Sequence, residues 1–468
     1  MPPAGPLMEA FVRQKAGRDS SPGLDAKARR AALGALEALV RENAPAFCAA
    51  IDRDFSGRAH AETQLLEVFP SLGAIAHARR HLAAWMRPRR SSTGLWFLPG
   101  RSRVMLQPLG VVGVVVPWNY PLYLAIGPVV AALAAGNRVM VKMSESAPHT
   151  GELLSRLVAE RFDPTTLTVV NGGPDVAREF VALPFDHLLF TGSTEVGRQV
   201  MRTAAANLTP VTLELGGKSP AIVGRDIAID VAAERIAFGK CLNAGQTCVA
   251  PDYALVPAER VEAFVQAAVA AIARLYPRLR DNPDYTAIID ARHRERLAGY
   301  LAEAKSAGAR VVEANAANED FAGSPKMAPA LVLGAPPGSR LMREEIFGPL
   351  LPVVPYTTLD EAIAYVNARP RPLALYIFDH DRAAIDRVLS RTVSGGVTVN
   401  ETILHIAQED LPFGGVGPSG MGEYHGRSGF ETFSKRKGVF YQSRLSGLRL
   451  FRPPYGKRFA TLVKLLMR

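Results

Sequence analysis

The spacing of apolar residues changes near residue 108. Over residues 25–86 they recur at three and four positions, as in Leu33, Leu36, Leu39 and Val40, which predicts helices. Gly57 punctuates that run. Residues 87–107 carry Pro88, Gly94 and Pro99, which break helices, so an excursion ending in a short strand at 103–107 is expected. From Val111 the pattern becomes strand, turn, helix, repeated. Residues 111–118 form a continuous apolar, β-branched run, the mark of a strand buried on both faces. Pro121, just beyond Asn119, can open a helix in its first turn. Further strands are predicted at 138–143, 167–170, 188–191 and 211–215, with a helix from about Thr150.

A second alternating set follows. Helices are predicted at 260–275, 292–306 and 359–367, and strands at 253–256, 310–313, 350–355, 375–378 and 396–400. Such alternation predicts an α/β chain with doubly wound parallel sheets, which bind ligands at the carboxyl ends of their strands. A boundary is expected near Lys218. The tail from Gly438 reads as a loop and then a basic amphipathic helix with Phe459, Leu462, Val463 and Leu466 on one face.

Length and composition narrow this picture. A chain of 468 residues, 48% hydrophobic, can bury a large core and favours two or more domains. Three cysteines, Cys48, Cys241 and Cys248, are too few for a disulfide framework, which predicts a reducing, cytoplasmic compartment. The first residues lack the basic-then-apolar pattern of a signal peptide. The most apolar runs, residues 109–117 and 129–135, are too short to cross a bilayer. A formal net charge of +11 raises nucleic acid as a partner, but no nucleic-acid motif accompanies it, so a solvated basic surface is the reading. No acidic residue follows Glu431, while ten basic ones do, from Lys435 to Arg468 and including Arg449. That tail is too short and too charged to span a membrane, and no membrane contact is expected.

Several groups can carry chemistry. Gly245-Gln246-Thr247-Cys248 joins a helical run to a strand, placing a thiol on backbone that Gly245 leaves permissive. Cys248 reads as a nucleophile, or else as a small buried hydrophobe. Glu214 lies between Leu213 and Leu215 in a strand expected to be buried. There it is a desolvated general base or half of a structural ion pair. Asn119 can donate to an oxyanion or cap a helix. Gly192 and Ser193, at the exit of the fourth sheet strand, suit a phosphate at a helix N-terminus. Lys142 and Glu145 can hold ribose hydroxyls or form a surface ion pair. Glu344 and Glu345 read locally as a solvated loop. His149, His187 and His405 are scattered, and no spacing suggests a metal site.

Taken together, six stretches resemble the aldehyde dehydrogenase superfamily in its own order over nearly the whole chain. They are Pro117-Trp118-Asn119-Tyr120-Pro121, Lys142-Met143-Ser144-Glu145, Phe190-Thr191-Gly192-Ser193, Leu213-Glu214-Leu215-Gly216-Gly217-Lys218, Gly245-Gln246-Thr247-Cys248 and Glu344-Glu345-Ile346-Phe347-Gly348-Pro349. The stretches 248–253, 412–417 and 420–426 look like the class 3 branch, which includes aromatic and fatty aldehyde enzymes. Residues 120–124 and 417–420 look most like bacterial coniferyl aldehyde dehydrogenases.

The resemblance implies an enzyme that oxidises an aromatic aldehyde to its acid, or a long-chain fatty aldehyde. A non-catalytic binding protein on the same fold is the reading from another class. It implies Cys248 as nucleophile, Asn119 at the oxyanion and Glu214 as the base that activates water, with Glu345 a rival for that role. It implies NAD as cofactor, with NADP possible. Trp118, Lys142, Glu145, Gly192, Ser193, Glu345 and Phe347 would contact it, and the Glu145 carboxylate would repel a 2′-phosphate. It further implies a homodimer and four regions: an NAD-binding Rossmann-like domain (1–86 and 108–217), a catalytic domain (218–428), an oligomerisation segment (87–107 and 429–443) and a basic tail (444–468). Substrate choice is expected from loops around Tyr120, Tyr123, Ile403 and His405.

Overall fold

The computed structural model describes residues 5–21, 23–446 and 451–467. Residues 1–4, on which part of the leader reading rests, and Arg449 and Arg468 of the basic tail lie outside the described residues.

Three sheets organise the chain. In the six-stranded sheet the order is Gly420–Met421, Val211–Leu215, His187–Gly192, Val111–Val115, Arg138–Lys142 and Leu167–Val170. All its pairings are parallel except the short Gly420–Met421 edge, which runs antiparallel to Val211–Leu215 and sets Gly420 opposite Glu214. The seven-stranded sheet runs Arg310–Glu313, Ala330–Leu333, Leu350–Tyr356, Tyr253–Pro257, Pro220–Val223, Ala374–Phe378 and Gly396–Val399. It too is parallel apart from one edge, where Arg310–Glu313 pairs antiparallel. The apolar runs of the central strands are buried, as parallel sheets covered on both faces require, whereas the outer strands Leu167–Val170, Arg310–Glu313 and Gly396–Val399 are only partly covered.

The third sheet is small and antiparallel: Arg89–Ser91, Arg101–Pro108 and Ser434–Tyr441. The excursion thus ends in a longer strand than expected, and its partner comes from the other end of the chain. The helical run resolves into Ala26–Glu42, Ala44–Phe55, His60–Thr63 and Phe69–Trp85, with a single π-helical turn at Gln64–Val68. Pro121 does not open a helix; the helix begins at Tyr123 and ends at Ala135. Its first free N–H groups are held by a distant carboxylate: Glu67 accepts from Leu122 (2.8 Å) and Tyr123 (3.2 Å). The tail helix, Lys457–Leu466, carries Phe459, Leu462, Val463 and Leu466 half-buried, and none of its residues is fully buried. Among the described residues no helix is long and apolar enough to cross a membrane.

Candidate active site

Cys248 is presented by a strained turn. Helix Ile229–Cys241 runs into Leu242–Gly245, where Asn243 (φ 50°), Ala244 (φ 50°) and Gly245 (φ 73°) are all left-handed. Non-glycine residues in that region cost on the order of 1 kcal/mol or more each and persist only where their surroundings hold them. The surroundings are on view. Gln246 is buried, donates to the carbonyls of Asn243 (3.0 Å) and Ala287 (2.9 Å), and accepts from the Ile289 N–H (3.0 Å). Thr247 shares a 2.6 Å hydrogen bond with the Tyr120 hydroxyl. Tyr376 bonds the Val249 carbonyl. The backbone is pinned on both sides of a thiol that stays half-buried on a cavity wall.

That cavity holds about 530 Å³ and lies where the carboxyl ends of the six-stranded sheet meet the Cys248 turn. It gathers Trp118, Asn119, Gly192, Ser193, Glu214, Cys248, Glu345 and Phe347, eight of the ten residues singled out in the sequence. Asn119 caps no helix. Its Nδ2 donates to the Gln246 carbonyl at 3.2 Å, two residues before the thiol, and its second amide hydrogen remains available.

Glu214 is buried, and neither of its carboxylate oxygens finds a partner among the described residues, so the ion-pair alternative is excluded. Burial, then repulsion from Glu423, raises its pKa well above the ordinary carboxylate range. Glu345 is not a solvated loop residue. Its carboxylate packs against Gly216, where a Cβ would meet Oε2 at 1.9 Å. Burial, then Asp252, pushes it up to about 8, against the pull of the Gly217 N–H, Lys218 and Arg296. The Cys248 thiol is pushed up to about 12, first by burial and then by Glu345 and Glu214.

The remaining cavity residues suit a dinucleotide. Ser193 N-caps helix Thr194–Ala205 through a 3.4 Å bond from the Val196 N–H, leaving a helix N-terminus at the exit of strand His187–Gly192. Trp118 packs edge-on against Phe347 (5.4 Å between centroids) and His293 (5.0 Å). Phe347 itself is left-handed (φ 49°), a backbone outlier on the cavity wall. Lys142 and Glu145 are not on the cavity wall. Lys142 ends the neighbouring strand Arg138–Lys142 and Glu145 follows it, their charged groups 3.7 Å apart, with the buried Lys142 ammonium also donating to the Met143 carbonyl at 2.6 Å.

Sequence reasoning missed the supports. Arg296 donates to the carbonyls of Glu345 (3.2 Å) and Ile346 (2.8 Å), and Tyr300 donates to Glu344 (2.6 Å). An Arg and a Tyr four apart on one helix face were the only signal. The loops expected to choose substrate do not line the cavity. Tyr120 is committed to Thr247, Tyr123 contacts His425 (3.3 Å) and His405 bonds Thr398 (2.8 Å). Leu124, Phe413 and Tyr424 form that wall instead.

Residues 9–439 match the model of the aldehyde dehydrogenase family. A "Probable coniferyl aldehyde dehydrogenase" of Pseudomonas aeruginosa is 56% identical over 463 residues, covering 99% of this chain and 96% of that protein. The substrate-bound AldH of Staphylococcus aureus superposes with a TM-score of 0.93 at 37% identity, over 99% of this chain and 100% of that one. An aldehyde dehydrogenase of Mycobacterium tuberculosis complexed with NAD+ superposes with a TM-score of 0.84 at 29% identity, over 92% and 89% of the two chains. With the thiol and the two carboxylates on one cavity wall, these likenesses show that the chain belongs to the aldehyde dehydrogenase family, an oxidoreductase that acts on aldehydes with NAD(P).

Proposed function

We propose that the chain oxidises aromatic aldehydes of the coniferaldehyde type to carboxylic acids through a covalent Cys248 intermediate. The observation that carries this is the gathering of Cys248, the Asn119 amide, the partnerless buried Glu214 carboxylate and the Glu345 carboxylate on one cavity wall. The thiolate adds to the aldehyde carbon to give a thiohemiacetal, and its oxyanion takes the free Asn119 amide hydrogen and the Cys248 N–H. The nicotinamide, when bound, supplies the hydride acceptor. Glu214, whose pKa burial raises, removes in its charged form a proton from the water that attacks the acyl–sulfur carbon, releasing the acid and restoring the thiolate. Glu345 lies close enough to act on Cys248 electrostatically and holds the nicotinamide ribose side of the cavity.

The apolar wall of Leu124, Phe413 and Tyr424 supports an aromatic substrate, as does the name of the Pseudomonas relative. Lys142 and Glu145 are assigned to the adenosine ribose, with Glu145 favouring NAD over NADP. The same reading divides the chain into the cofactor, catalytic, oligomerisation and tail regions set out above. It makes the protein a cytoplasmic homodimer whose tail helix rests on the partner subunit, without membrane attachment. Three free cysteines are consistent with that compartment.

The test is the initial rate of NAD reduction with coniferaldehyde, benzaldehyde and decanal, without coenzyme A. Coniferaldehyde is expected to give the highest kcat/KM, and Cys248→Ala to abolish the reaction. A preference for decanal would move the substrate to long-chain aldehydes. Strict dependence on coenzyme A would defeat the hydrolytic role of Glu214.

A further inference from the structure

Behind the reacting groups lies a cluster that the chemistry above does not use. Arg58, Glu62 and Glu67 are buried, with two carboxylates facing one guanidinium. Arg58 sits 3.8 Å from Glu62 and 3.6 Å from Glu67. Its guanidinium lies over the rings of Phe55 (4.9 Å) and Tyr120 (5.0 Å). Such a cluster is expensive in desolvation and adds little to stability compared with apolar side chains of the same size. Arg58 Nε and Nη2 and one oxygen of Glu67 make no hydrogen bond among the described residues, so the cost is not fully offset internally. Glu67 also stands in the π-helical turn, a distortion that recurs at functional sites.

The outward bonds show what the cluster holds. Arg58 Nη1 donates to the Asn119 carbonyl at 3.0 Å, and Asn243 Nδ2 donates to the same oxygen at 3.1 Å. Both oxygens of Glu62 accept from the Asn243 N–H at 3.1 Å, and Thr286 donates to Glu62 at 2.6 Å. Glu67 accepts from Leu122 and Tyr123, three and four residues after Asn119. Each bond therefore ends on the oxyanion donor's segment or on the left-handed turn that presents the thiol, or braces a carboxylate that does.

We propose that Arg58, Glu62 and Glu67 are positioning residues that fix the Asn119 amide and the Cys248 turn in one frame. Glu62 and Asn243 keep the turn left-handed. Arg58 and Glu67 keep Asn119 at a set height above it. A displacement of about 1 Å between donor and nucleophile is enough to cost roughly a hundredfold in rate. The inference rests on the roles proposed for Cys248 and Asn119.

The test uses the full-length protein with Glu62→Gln, Arg58→Lys and the milder Thr286→Val, which only loosens Glu62. The readouts are kcat with an aromatic aldehyde, NAD affinity by fluorescence titration, and melting temperature. Expected losses in kcat are about a hundredfold for Arg58→Lys, about tenfold for Glu62→Gln and about threefold for Thr286→Val, with NAD affinity within about twofold of the parent. A merely structural role would lower kcat only with the folded fraction, or would weaken NAD equally, and either result overturns the proposal. Should the charge variants fail to fold, Thr286→Val decides, and parental kcat in it overturns the proposal. Cys248→Ala at parental activity would instead defeat the reading on which the inference rests. An inactive Cys248→Ala beside fully active Glu62→Gln would defeat the inference alone.

Discussion

A thiol pushed up to about 12 is a poor nucleophile at rest, so the groups that set its charge matter. Glu345 is the charge with the largest effect on Cys248, and it titrates near 8. Below pH 8 it is largely neutral and leaves the thiol alone. Above pH 8 it is charged, and a negative neighbour disfavours thiolate. Glu345→Gln removes that charge. Cys248 alkylation by iodoacetamide is therefore expected to match the parent well below pH 8, and to run about threefold faster above it, half a pKa unit of relief. Slower alkylation in the variant above pH 8 would show that Glu345 takes the thiol proton, which would reassign it as a base. Glu214 and Cys248 were legible because each breaks a local rule, a carboxylate in an apolar strand and a thiol after Gly-Gln-Thr, and Glu345, a solvated loop residue by its local sequence, was singled out by the resemblance. Arg58, Glu62 and Glu67 were not. They lie in an ordinary helical pattern, and their partners at Asn119 and Asn243 are far away in sequence.

At the scale of elements, the strands were read with little error. Leu167–Val170, Val211–Leu215 and Arg310–Glu313 have the predicted bounds, although the first and last are edge strands that are only partly covered. Pro220–Val223 escaped because it opens on a proline directly after the Gly216-Gly217 turn, where the boundary near Lys218 was expected. Ser434–Tyr441 escaped for another reason. Its sequence is basic and mostly exposed, and eight paired residues of Arg101–Pro108 make it a strand rather than any apolar alternation. The nucleophile turn is the element whose local chemistry is most demanding. At Gly245 both the left-handed φ and the space exclude a side chain: a Cβ would meet the Gly348 carbonyl oxygen at 2.3 Å. Gly417 is also left-handed (φ 65°) but has open space around it. Gly417→Ala is therefore expected to cost about 1 kcal/mol and little activity, whereas Gly245→Ala must displace backbone and lose at least about a hundredfold in kcat. Melting curves and kcat for the pair separate backbone strain from crowding. Equal losses in both would show that φ alone controls the turn.

For the molecule as a whole, the small antiparallel sheet is the feature that a single subunit leaves unfinished. Beside it Leu95 (73% exposed), Trp96 (58%), Phe97 (51%) and Leu98 (52%) stand in solvent, and Phe440 and Tyr441 on the last strand are about half exposed. Phe97 meets Phe440 at 6.1 Å, so the two stretches form one apolar surface, although they come from opposite ends of the chain. Soluble monomers seldom leave such a patch open, and the proposed homodimer would cover it with its own copy about a two-fold axis. Light scattering of the parent is expected to give twice the 50.4 kDa chain mass. Trp96→Ser combined with Phe97→Ser removes the centre of the patch without touching the buried core. It is expected to shift the mass towards a single chain at micromolar concentration while leaving the helical and strand content unchanged. A parent that runs as a monomer would refute the homodimer. A dimer that survives the double substitution would place the two-fold contact elsewhere, and the open outer edge of Ser434–Tyr441, with Lys435, Arg436 and Lys437 exposed along it, would be the next surface to mutate.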